Sequence, residues 1–247
     1  MGPLTAICRY PVKGLPPEDV GQLRLYADAA MPGDRGLALT HAASAFDPAN
    51  PAWVPRGNFV VVARSPGLAA LRLAAEEGGI ALTAPDGDRL VADLTSDSDR
   101  AALCDWIAAH ADQPGPFALV QVPRQALHDT PLPAVSVMSE ASLAALSDRA
   151  GRPLGKERFR GNLWIAGGAP FAETALVGHR FSIGDVTLEG LEPIARCRAV
   201  DASPDTGTYD SDLCRDLHAL TGAADFGILA RVVSSGTVAV GDQVAAV

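Results

Sequence analysis

Phe181-Ser-Ile-Gly-Asp-Val-Thr-Leu188 best indicates the fold, because apolar and polar residues alternate on both sides of a Gly-Asp pair. Val238-Ala-Val-Gly-Asp-Gln-Val244 repeats this pattern near the end of the chain. Alternation is typical of half-buried strands, and Gly-Asp is typical of turns or bulges between strands. We therefore predict that both stretches form corners of a small, mostly β, barrel-like domain.

Short apolar runs, separated by 19 prolines and 24 glycines, continue through the rest of the 247-residue chain. This punctuation favours strands over long helices. We predict strands at 59–63, 80–83, 89–93, 117–122, 135–138, 163–165 and 187–191, a hairpin turn at 85–88 and a break at Pro193. Apolar periodicity predicts three helices, at 99–111, 140–150 and 212–220. We expect Ser98, Ser139 and either Ser211 or Asp210 as their N-caps, and Gly151 as the end of the second.

A change of sequence pattern near residues 123–133 divides the chain. Pro, His, Asp and Thr interrupt the strand pattern there. We predict an N-terminal β-rich module over residues 1–125, packed against the barrel-like domain over residues 126–247. The expected fold class is α+β and strand-rich, and the hydrophobic content of 48% suits a globular protein of this size.

The charge and the N-terminus exclude several classes of function. A net charge of −9 argues against binding to nucleic acid or to an anionic membrane surface. We find no signal peptide and no apolar stretch of membrane-spanning length. The four cysteines form neither a CxxC pair nor a pattern that demands disulfides. We therefore expect a cytoplasmic protein without a membrane partner.

Common catalytic motifs are absent, and one cysteine remains as a candidate. The sequence has no nucleotide-binding glycine loop, no nucleophile elbow and no HExxH zinc motif. Cys197 lies between Arg196 and Arg198, and positive charge favours a thiolate, which is both a nucleophile and a soft metal ligand. A buried, inert cysteine beside two solvated arginines is the alternative, and Cys197 alone does not decide between them.

Basic residues elsewhere are candidates for binding an anion. Lys13-Gly14 ends an extended segment, Arg35 sits in a Gly-rich turn, and Arg160 and Asn162 precede the strand at 163–165. Each can donate hydrogen bonds to a phosphate or a polar ring. Ser139 begins a predicted helix, whose free backbone N–H groups can do the same.

Taken in chain order, these segments resemble the MOSC family, which is named for the C-terminal domain of molybdenum cofactor sulfurases. The segments are Tyr10-Pro11-Val12-Lys13, Gly33-Asp34-Arg35, Leu127-His128-Asp129, Met138-Ser139-Glu140-Ala141-Ser142-Leu143, Arg158-Phe159-Arg160-Gly161-Asn162, Pro170-Phe171-Ala172-Glu173, Ile183-Gly184-Asp185-Val186, Arg196-Cys197, Asp201-x-x-Pro204-Asp205-Thr206-Gly207, Phe226-Gly227 and Val240-Gly241-Asp242. Each segment is a weak signal, whereas their shared order is specific. The first two resemble the β-rich module that precedes many MOSC domains.

The resemblance implies a pterin molybdenum cofactor in a cleft between the two modules. It implies that Cys197 ligates molybdenum and that Lys13, Arg35, Arg160 and Asn162 hold the phosphate and the pterin. The remaining predicted cofactor-binding residues belong to the same segments and are Gly14, Ser139, Arg196 and Asp201. The family often has Lys-Ser where this chain has Lys13-Gly14, so a side-chain hydroxyl is missing there.

Three hypotheses about function follow from the sequence and the resemblance. By resemblance to amidoxime-reducing proteins, the chain is expected to be a molybdenum oxidoreductase that reduces N-hydroxylated compounds. No ferredoxin-like extension follows the MOSC segments before Val247, so a separate flavin or iron–sulfur reductase is expected to supply electrons. The second hypothesis is a carrier of sulfur or of the cofactor that uses a Cys197 persulfide. The third is a β-rich binding protein without a cofactor, in which the basic residues and Cys197 do not converge.

Overall fold

Sixteen strands and three α-helices form the regular structure of the computed structural model, which describes residues 1–247. The strands are β1 Leu4–Arg9, β2 Val12–Lys13, β3 Glu18–Asp19, β4 Gln22–Leu25, β5 Leu37–Thr40, β6 Arg72–Glu76, β7 Gly79–Thr83, β8 Arg89–Ala92, β9 Ala118–Val120, β10 Val135–Ser139, β11 Leu163–Ile165, β12 Arg180–Ile183, β13 Val186–Ala195, β14 Asp225–Val232, β15 Gly236–Ala239 and β16 Val244–Ala246. The helices are α1 Asp97–Ala108, α2 Glu140–Ala150 and α3 Leu213–Thr221.

Eight strands form the main sheet, in the order β16–β12–β13–β14–β10–β11–β1–β3. All neighbours are antiparallel except β10 and β11, which run parallel. The sheet curls into a half-barrel, and β4 and β15 pair with each other to form a small separate sheet. The expected strand-rich α+β fold with a barrel-like domain is confirmed.

The two Gly-Asp segments form neighbouring corners of the half-barrel. Gly184 has a φ of 54° and joins β12 to β13, whereas Gly241 has a φ of 103° and joins β15 to β16. An added Cβ at Gly184 would collide with the Asp242 carboxylate. That carboxylate accepts a hydrogen bond from the Ala239 backbone N–H at 2.8 Å. Glycine is needed at this corner because the left-handed backbone and the close approach both exclude a larger residue.

Alternation along the strands sends side chains to two separate cores. Val135 and Val137 of β10 join a cluster of 17 buried residues on the inner face, which also includes Leu25 of β4 and Val238 of β15. Met138 of the same strand joins a second cluster, where α2 and α3 cover the outer face. Because successive residues of a strand point to opposite faces, one sheet supports both cores.

The N-terminal part adds two three-stranded sheets, β2–β5–β9 and β6–β7–β8. Their shared cluster of 14 buried residues includes residues of α1, such as Leu103 and Ile107. The predicted hairpin is confirmed, because β7 and β8 pair antiparallel around the turn at 85–88. All three helices are confirmed, but two predicted N-caps are wrong. Ser96 caps α1 instead of Ser98 because the helix begins earlier, and Asp212 caps α3 instead of Ser211 or Asp210 because its side chain accepts from the Arg215 N–H.

Two strand predictions are corrected. The run at 59–63 is not a strand: Phe59 makes one bridge to Thr40, and the chain then turns because the Val61 carbonyl accepts from the N–H groups of Arg64 and Ser65. Burial of Phe59, Val60 and Val62, not strand pairing, explains the apolar character of the run. Pro193 does not end its strand either, since β13 continues through it with irregular register against β14. Such irregular sites tolerate a residue without an N–H group.

The N-terminal residues also contribute to the main sheet. β1 pairs with β11, and β3 follows β1 at the sheet edge. The division at residues 125 and 126 therefore remains a prediction about sequence modules, while the hydrogen bonding crosses it. None of the helices combines the length and the apolar character that a membrane span requires.

Candidate functional site

A cleft of about 430 Å³ lies between the N-terminal segments and the main sheet. Seven of the nine predicted site residues line it, namely Lys13, Gly14, Arg35, Arg160, Asn162, Arg196 and Cys197. They come from the end of β2, the loop before β5, the segment before β11 and the segment after β13. The fold thus brings together residues that are far apart in the sequence.

Two guanidinium groups enclose the buried ring of Tyr10 on one wall of the cleft. The Arg35 group lies 4.3 Å from the ring centroid, and the Arg160 group lies 4.6 Å from it. Arg35 also donates to the Arg160 carbonyl at 2.7 Å, and Arg160 donates to the Leu15 carbonyl at 2.8 Å. Stacking on an aromatic face attracts a cation, so this wall holds two positive charges in fixed positions.

Asp34 anchors this wall from behind. Its fully buried carboxylate accepts hydrogen bonds from the Tyr10 N–H at 2.8 Å and from Arg35 at 2.5 Å, and it contacts His128 Nε2 at 2.9 Å. Burial works to raise the pKa of Asp34, but Arg35 and His128 hold it well below its usual range. The carboxylate is therefore ionised at neutral pH and fixes the orientation of Arg35.

Lys13 and Arg56 meet at Asp129 on another part of the cleft. The buried Lys13 ammonium donates to the Leu127 carbonyl at 2.8 Å and pairs with the Asp129 carboxylate. Arg56 lies 3.5 Å from the other oxygen of Asp129. The interaction with Cys197 raises the pKa of Arg56, and both side chains line the cleft. Arg56 thus stands between the Lys13–Asp129 pair and the cysteine.

Cys197 follows the last residues of β13 and begins a short 3₁₀ turn at 198–201. The preceding Arg196 is fixed by donating to the carbonyls of Phe226 at 2.9 Å and Phe159 at 2.8 Å. The half-buried Cys197 lines the cleft, whereas Arg198 is exposed and stacks 3.7 Å from the Tyr209 ring centroid. Only one of the two flanking arginines therefore belongs to the cleft.

The cleft is strongly cationic in a protein of negative net charge. Six basic side chains line it, Lys13, Arg35, Arg56, Arg158, Arg160 and Arg196, against the two carboxylates of Asp129 and Glu192. Burial lowers the pKa of Arg160 and of Arg196 to about 10, and it also lowers the pKa of Lys13. A bound anion would offset the unfavourable burial of these charges.

Gly14 shapes the cleft through its backbone, and Asn162 through its side-chain amide. Gly14 has a φ of 87°, and an added Cβ would collide with the Val60 carbonyl oxygen. The Asn162 amide donates to the Cys8 carbonyl at 3.1 Å and accepts from the Ser136 hydroxyl at 2.8 Å. Its side chain therefore links β10 to β1 beside the cleft.

Ser139 and Asp201 do not line the cleft. The Ser139 hydroxyl caps α2 by accepting from the Ser142 N–H. Asp201 accepts from the Leu213 N–H at 2.7 Å and thereby fixes the start of α3 against the turn that follows Cys197. The structure gives both residues helix-terminal positions.

Sequence reasoning did not select Arg56, Tyr10, Asp129 or His128 as site residues. Tyr10, His128 and Asp129 lie within the segments that carry the family resemblance, so those segments could have identified them as site residues. Arg56 precedes the predicted strand at 59–63, and no sequence pattern distinguishes it from a surface arginine. Only the folded chain brings it beside Cys197.

A larger cleft of about 1020 Å³ lies nearby but fits the predicted site less well. It includes Arg160 but neither Cys197 nor the other predicted residues. We therefore place the candidate site in the smaller cleft. No group of three or more His, Cys, Asp or Glu side chains is arranged to hold a metal ion.

Comparison with known proteins identifies the family. Residues 124–245 match the family model of the MOSC domain. Among solved structures, the YuaD protein from Bacillus subtilis is 12% identical, with a TM-score of 0.47, and the match covers 98% of this chain and 93% of that one. YiiM from Geobacillus stearothermophilus is 18% identical, with a TM-score of 0.35, over 46% of this chain and 53% of that one. No curated protein matches the chain. The chain is a MOSC-domain protein, and residues 124–245 form that domain.

Proposed function

We propose that the cleft binds the pterin molybdenum cofactor and that the protein is an oxidoreductase that reduces N-hydroxylated compounds. The observation that carries the proposal is the convergence of Cys197 with a cluster of basic side chains on one cleft. The electrons would come from a separate flavin or iron–sulfur protein.

The donor set fits a phosphorylated pterin. A phosphate carries about two negative charges near neutral pH, and it needs cations and neutral donors to offset its desolvation. Lys13, Arg35 and Arg160 would hold the phosphate, because each is fixed by backbone or aromatic contacts before any ligand binds. Arg196 and the backbone around Gly14 and Asn162 would line the pterin.

The fit extends to the metal end of the cofactor. Cys197 is the one thiol on the cleft, and a thiolate is a good ligand for a metal that prefers sulfur. Since no further metal-binding cluster exists, the cofactor itself would supply the other ligands. The bound molybdenum would supply two-electron redox chemistry.

The test compares wild type with Cys197→Ser, both made in a host that synthesises the cofactor. We expect the wild type to retain molybdenum and pterin, and to reduce an aryl amidoxime with dithionite-reduced viologen as electron source. The net reaction is R–NH–OH + 2 e⁻ + 2 H⁺ → R–NH₂ + H₂O. Cys197→Ser should lose the sulfur-ligand absorption and the activity.

Cys214→Ser is the matched control. Cys214 is also half-buried, but burial raises the pKa of its thiol to about 11 and it does not line the cleft. This variant should keep metal, pterin and activity. A folded wild type that never holds molybdenum or pterin would contradict the proposal. Full cofactor retention in Cys197→Ser together with loss of a labile sulfur would favour the carrier function instead.

A further inference from the structure

His128 is a cleft residue without a role in the binding described above. It lies in the segment between β9 and β10, and its side chain is 12% exposed. Its Nε2 atom lies 2.9 Å from the Asp34 carboxylate, and its backbone carbonyl accepts from the Trp53 indole N–H at 3.0 Å. The Asp34 contact therefore fixes one edge of the imidazole, and the Trp53 contact fixes the backbone of His128.

The partners of Asp34 decide which nitrogen of His128 is free. The carboxylate is buried, is ionised and already accepts hydrogen bonds from Tyr10 and Arg35. It can only accept from His128, so Nε2 carries a proton in both charge states of the ring. Nδ1 makes no hydrogen bond within the protein and is not among the enclosed, unpartnered polar atoms. Nδ1 is thus the atom that can gain and release a proton.

Reduction of an N-hydroxyl group requires protons as well as electrons. The N–O bond breaks and two electrons go to the substrate. One proton joins the hydroxyl oxygen, which leaves as water, and the other joins the nitrogen. Among the other charged groups on the cleft, the guanidinium groups hold their protons near neutral pH, and the pKa values of Arg160 and Arg196 are still about 10. Asp129 is paired with Lys13 and Arg56, which hold its pKa below the usual value despite burial.

Histidine is the side chain whose ordinary titration range includes neutral pH. His128 contacts the Asp34 carboxylate, and Asp129 follows it directly in the chain. The other charged groups that line the cleft are Lys13, Arg35, Arg56, Arg158, Arg160, Arg196 and Glu192. None of these groups has both an unpaired nitrogen or oxygen atom and an ordinary titration range that includes neutral pH. His128 alone is placed to give a proton to a substrate and regain one from solvent.

We propose that His128 is the proton donor of the reaction and that Asp34 orients it. Nδ1–H gives its proton to the hydroxyl oxygen as the N–O bond breaks, so that the oxygen leaves as water, and solvent water supplies the second proton to the nitrogen. The electrons come from the separate reductase, or from reduced viologen in the assay. This inference rests on the proposed reductase function.

His128→Gln tests the inference because the glutamine amide can still donate to Asp34 but has no proton to transfer. We expect full molybdenum and pterin content and a KM close to that of wild type, with kcat lowered roughly 10²- to 10⁴-fold. In wild type, kcat should fall as the pH rises through the ionisation of the donor, and this limb should vanish in the variant. Added imidazole should restore part of the rate.

His110→Gln is the matched control. His110 also pairs with a carboxylate, that of Asp88 at 3.4 Å, and it lies outside the cleft. Its substitution should leave kcat and the pH profile unchanged. A His128→Gln protein with the wild-type rate and pH limb would overturn the inference alone. So would loss of cofactor from that variant, since His128 would then be a binding residue.

A wild type without cofactor or reductase activity would instead overturn the proposed function, and with it this inference. If His128→Gln does not fold, ¹⁵N NMR of histidine-labelled wild type decides. Nε2 of His128 should stay protonated across the titration while Nδ1 gains its proton as the pH falls. Titration at Nε2 would overturn the inference.

Discussion

Arg160 is a buried positive charge that no carboxylate of the protein neutralises. Its guanidinium has no carboxylate within ion-pair distance, and its contacts are the Tyr10 ring and the Leu15 carbonyl. Burial lowers its pKa to about 10, which means that the folded protein disfavours this charge. An anion in the cleft would supply the missing opposite charge.

Arg160→Met should therefore weaken anion binding. We expect pyrophosphate to raise the melting temperature of the cofactor-free wild type, because a ligand that binds only the folded state stabilises it. Loss of one hydrogen bond to a charged group costs about 1.5–3 kcal/mol, so the variant should bind roughly 10- to 100-fold more weakly. Thermal unfolding across a pyrophosphate titration measures this difference.

Arg149→Met is the control for that series. Arg149 is half-exposed and lies 3.5 Å from Asp216, away from the cleft. Its substitution should leave the response to pyrophosphate unchanged. Equal responses in Arg160→Met and wild type would show that the cleft charge does not bind the anion.

Asp34→Asn should destabilise the protein at pH 7 by about 3–5 kcal/mol, because it leaves the buried Arg35 without its opposite charge. The folded pKa of Asp34 lies below its ordinary value of 3.8, so its contribution is fully present above that value and is lost as the pH falls below it. The gap between wild type and variant should therefore shrink in urea unfolding at pH 3 compared with pH 7. The exposed Asp148, which has no ion pair, provides an Asn control whose effect on the free energy of unfolding should be small. A gap that stays constant between the two pH values would contradict this account.

Gly14→Ser would introduce the hydroxyl that the family often has, and we expect it to be harmful here. A residue with a Cβ is strained at a φ of 87°, and this Cβ would displace the Val60 carbonyl. The strain costs about 1–3 kcal/mol, which chemical unfolding can measure against Gly21→Ser. Gly21 has open space around it and no such backbone angle. Unchanged stability of Gly14→Ser would show that the backbone here adapts.

The site residues differ in how far the sequence could identify them. Cys197, Lys13, Arg35 and Arg160 were predicted from ordered motifs, and they line one cleft. Arg56 could not be predicted, because its role depends on a loop that only tertiary contacts bring beside the cysteine. Local sequence specifies a residue's chemistry, whereas its neighbours depend on the whole fold.

At the scale of elements, α2 is the part that local sequence determined best. Ser139 caps it and Gly151 ends it with a φ of 68°, as the pattern predicted. The run at 59–63 was misjudged because an apolar β-branched run indicates burial, and burial does not require strand pairing. Caps and turns act through neighbouring residues, but strand pairing needs a partner from elsewhere in the chain.

Ser139→Ala separates the two roles that this serine was given. Loss of an N-cap should lower the free energy of unfolding by about 0.5–2 kcal/mol, because the Ser142 N–H loses its acceptor. Molybdenum and pterin content should remain at the wild-type level, since Ser139 does not line the cleft. Ser182→Ala, on a strand and without a side-chain hydrogen bond, is the control for urea unfolding. Loss of cofactor from Ser139→Ala at unchanged stability would assign it to binding instead.

For the whole molecule, net charge and site charge have opposite signs. The chain carries −9, yet six basic groups face two carboxylates on the cleft. The net charge predicts no basic surface, but it does not count the charges that folding gathers from five distant segments. That count depends on how the N-terminal strands dock on the main sheet.

The shared sheet predicts that residues 126–247 do not fold alone. Without residues 1–125, β11 loses its neighbour β1, β15 loses β4, and the inner core loses Leu4, Ile7, Leu25 and Met31. Each buried large side chain contributes about 1.5–3 kcal/mol, and a whole domain is stable by only about 5–15 kcal/mol. We expect residues 126–247 alone to lack near-ultraviolet circular dichroism and a cooperative melting transition.

The matched control is the full chain, cut after folding at a protease site placed beside the exposed Arg124. It has the same chain ends but keeps residues 1–125 in place, so it should retain its dichroism and melt in one transition. Cooperative unfolding of residues 126–247 alone would contradict the prediction, because the shared strands would then be dispensable. If the prediction holds, the cleft and the sheet that forms its floor arise in one folding event, and the two sequence modules are one folding unit.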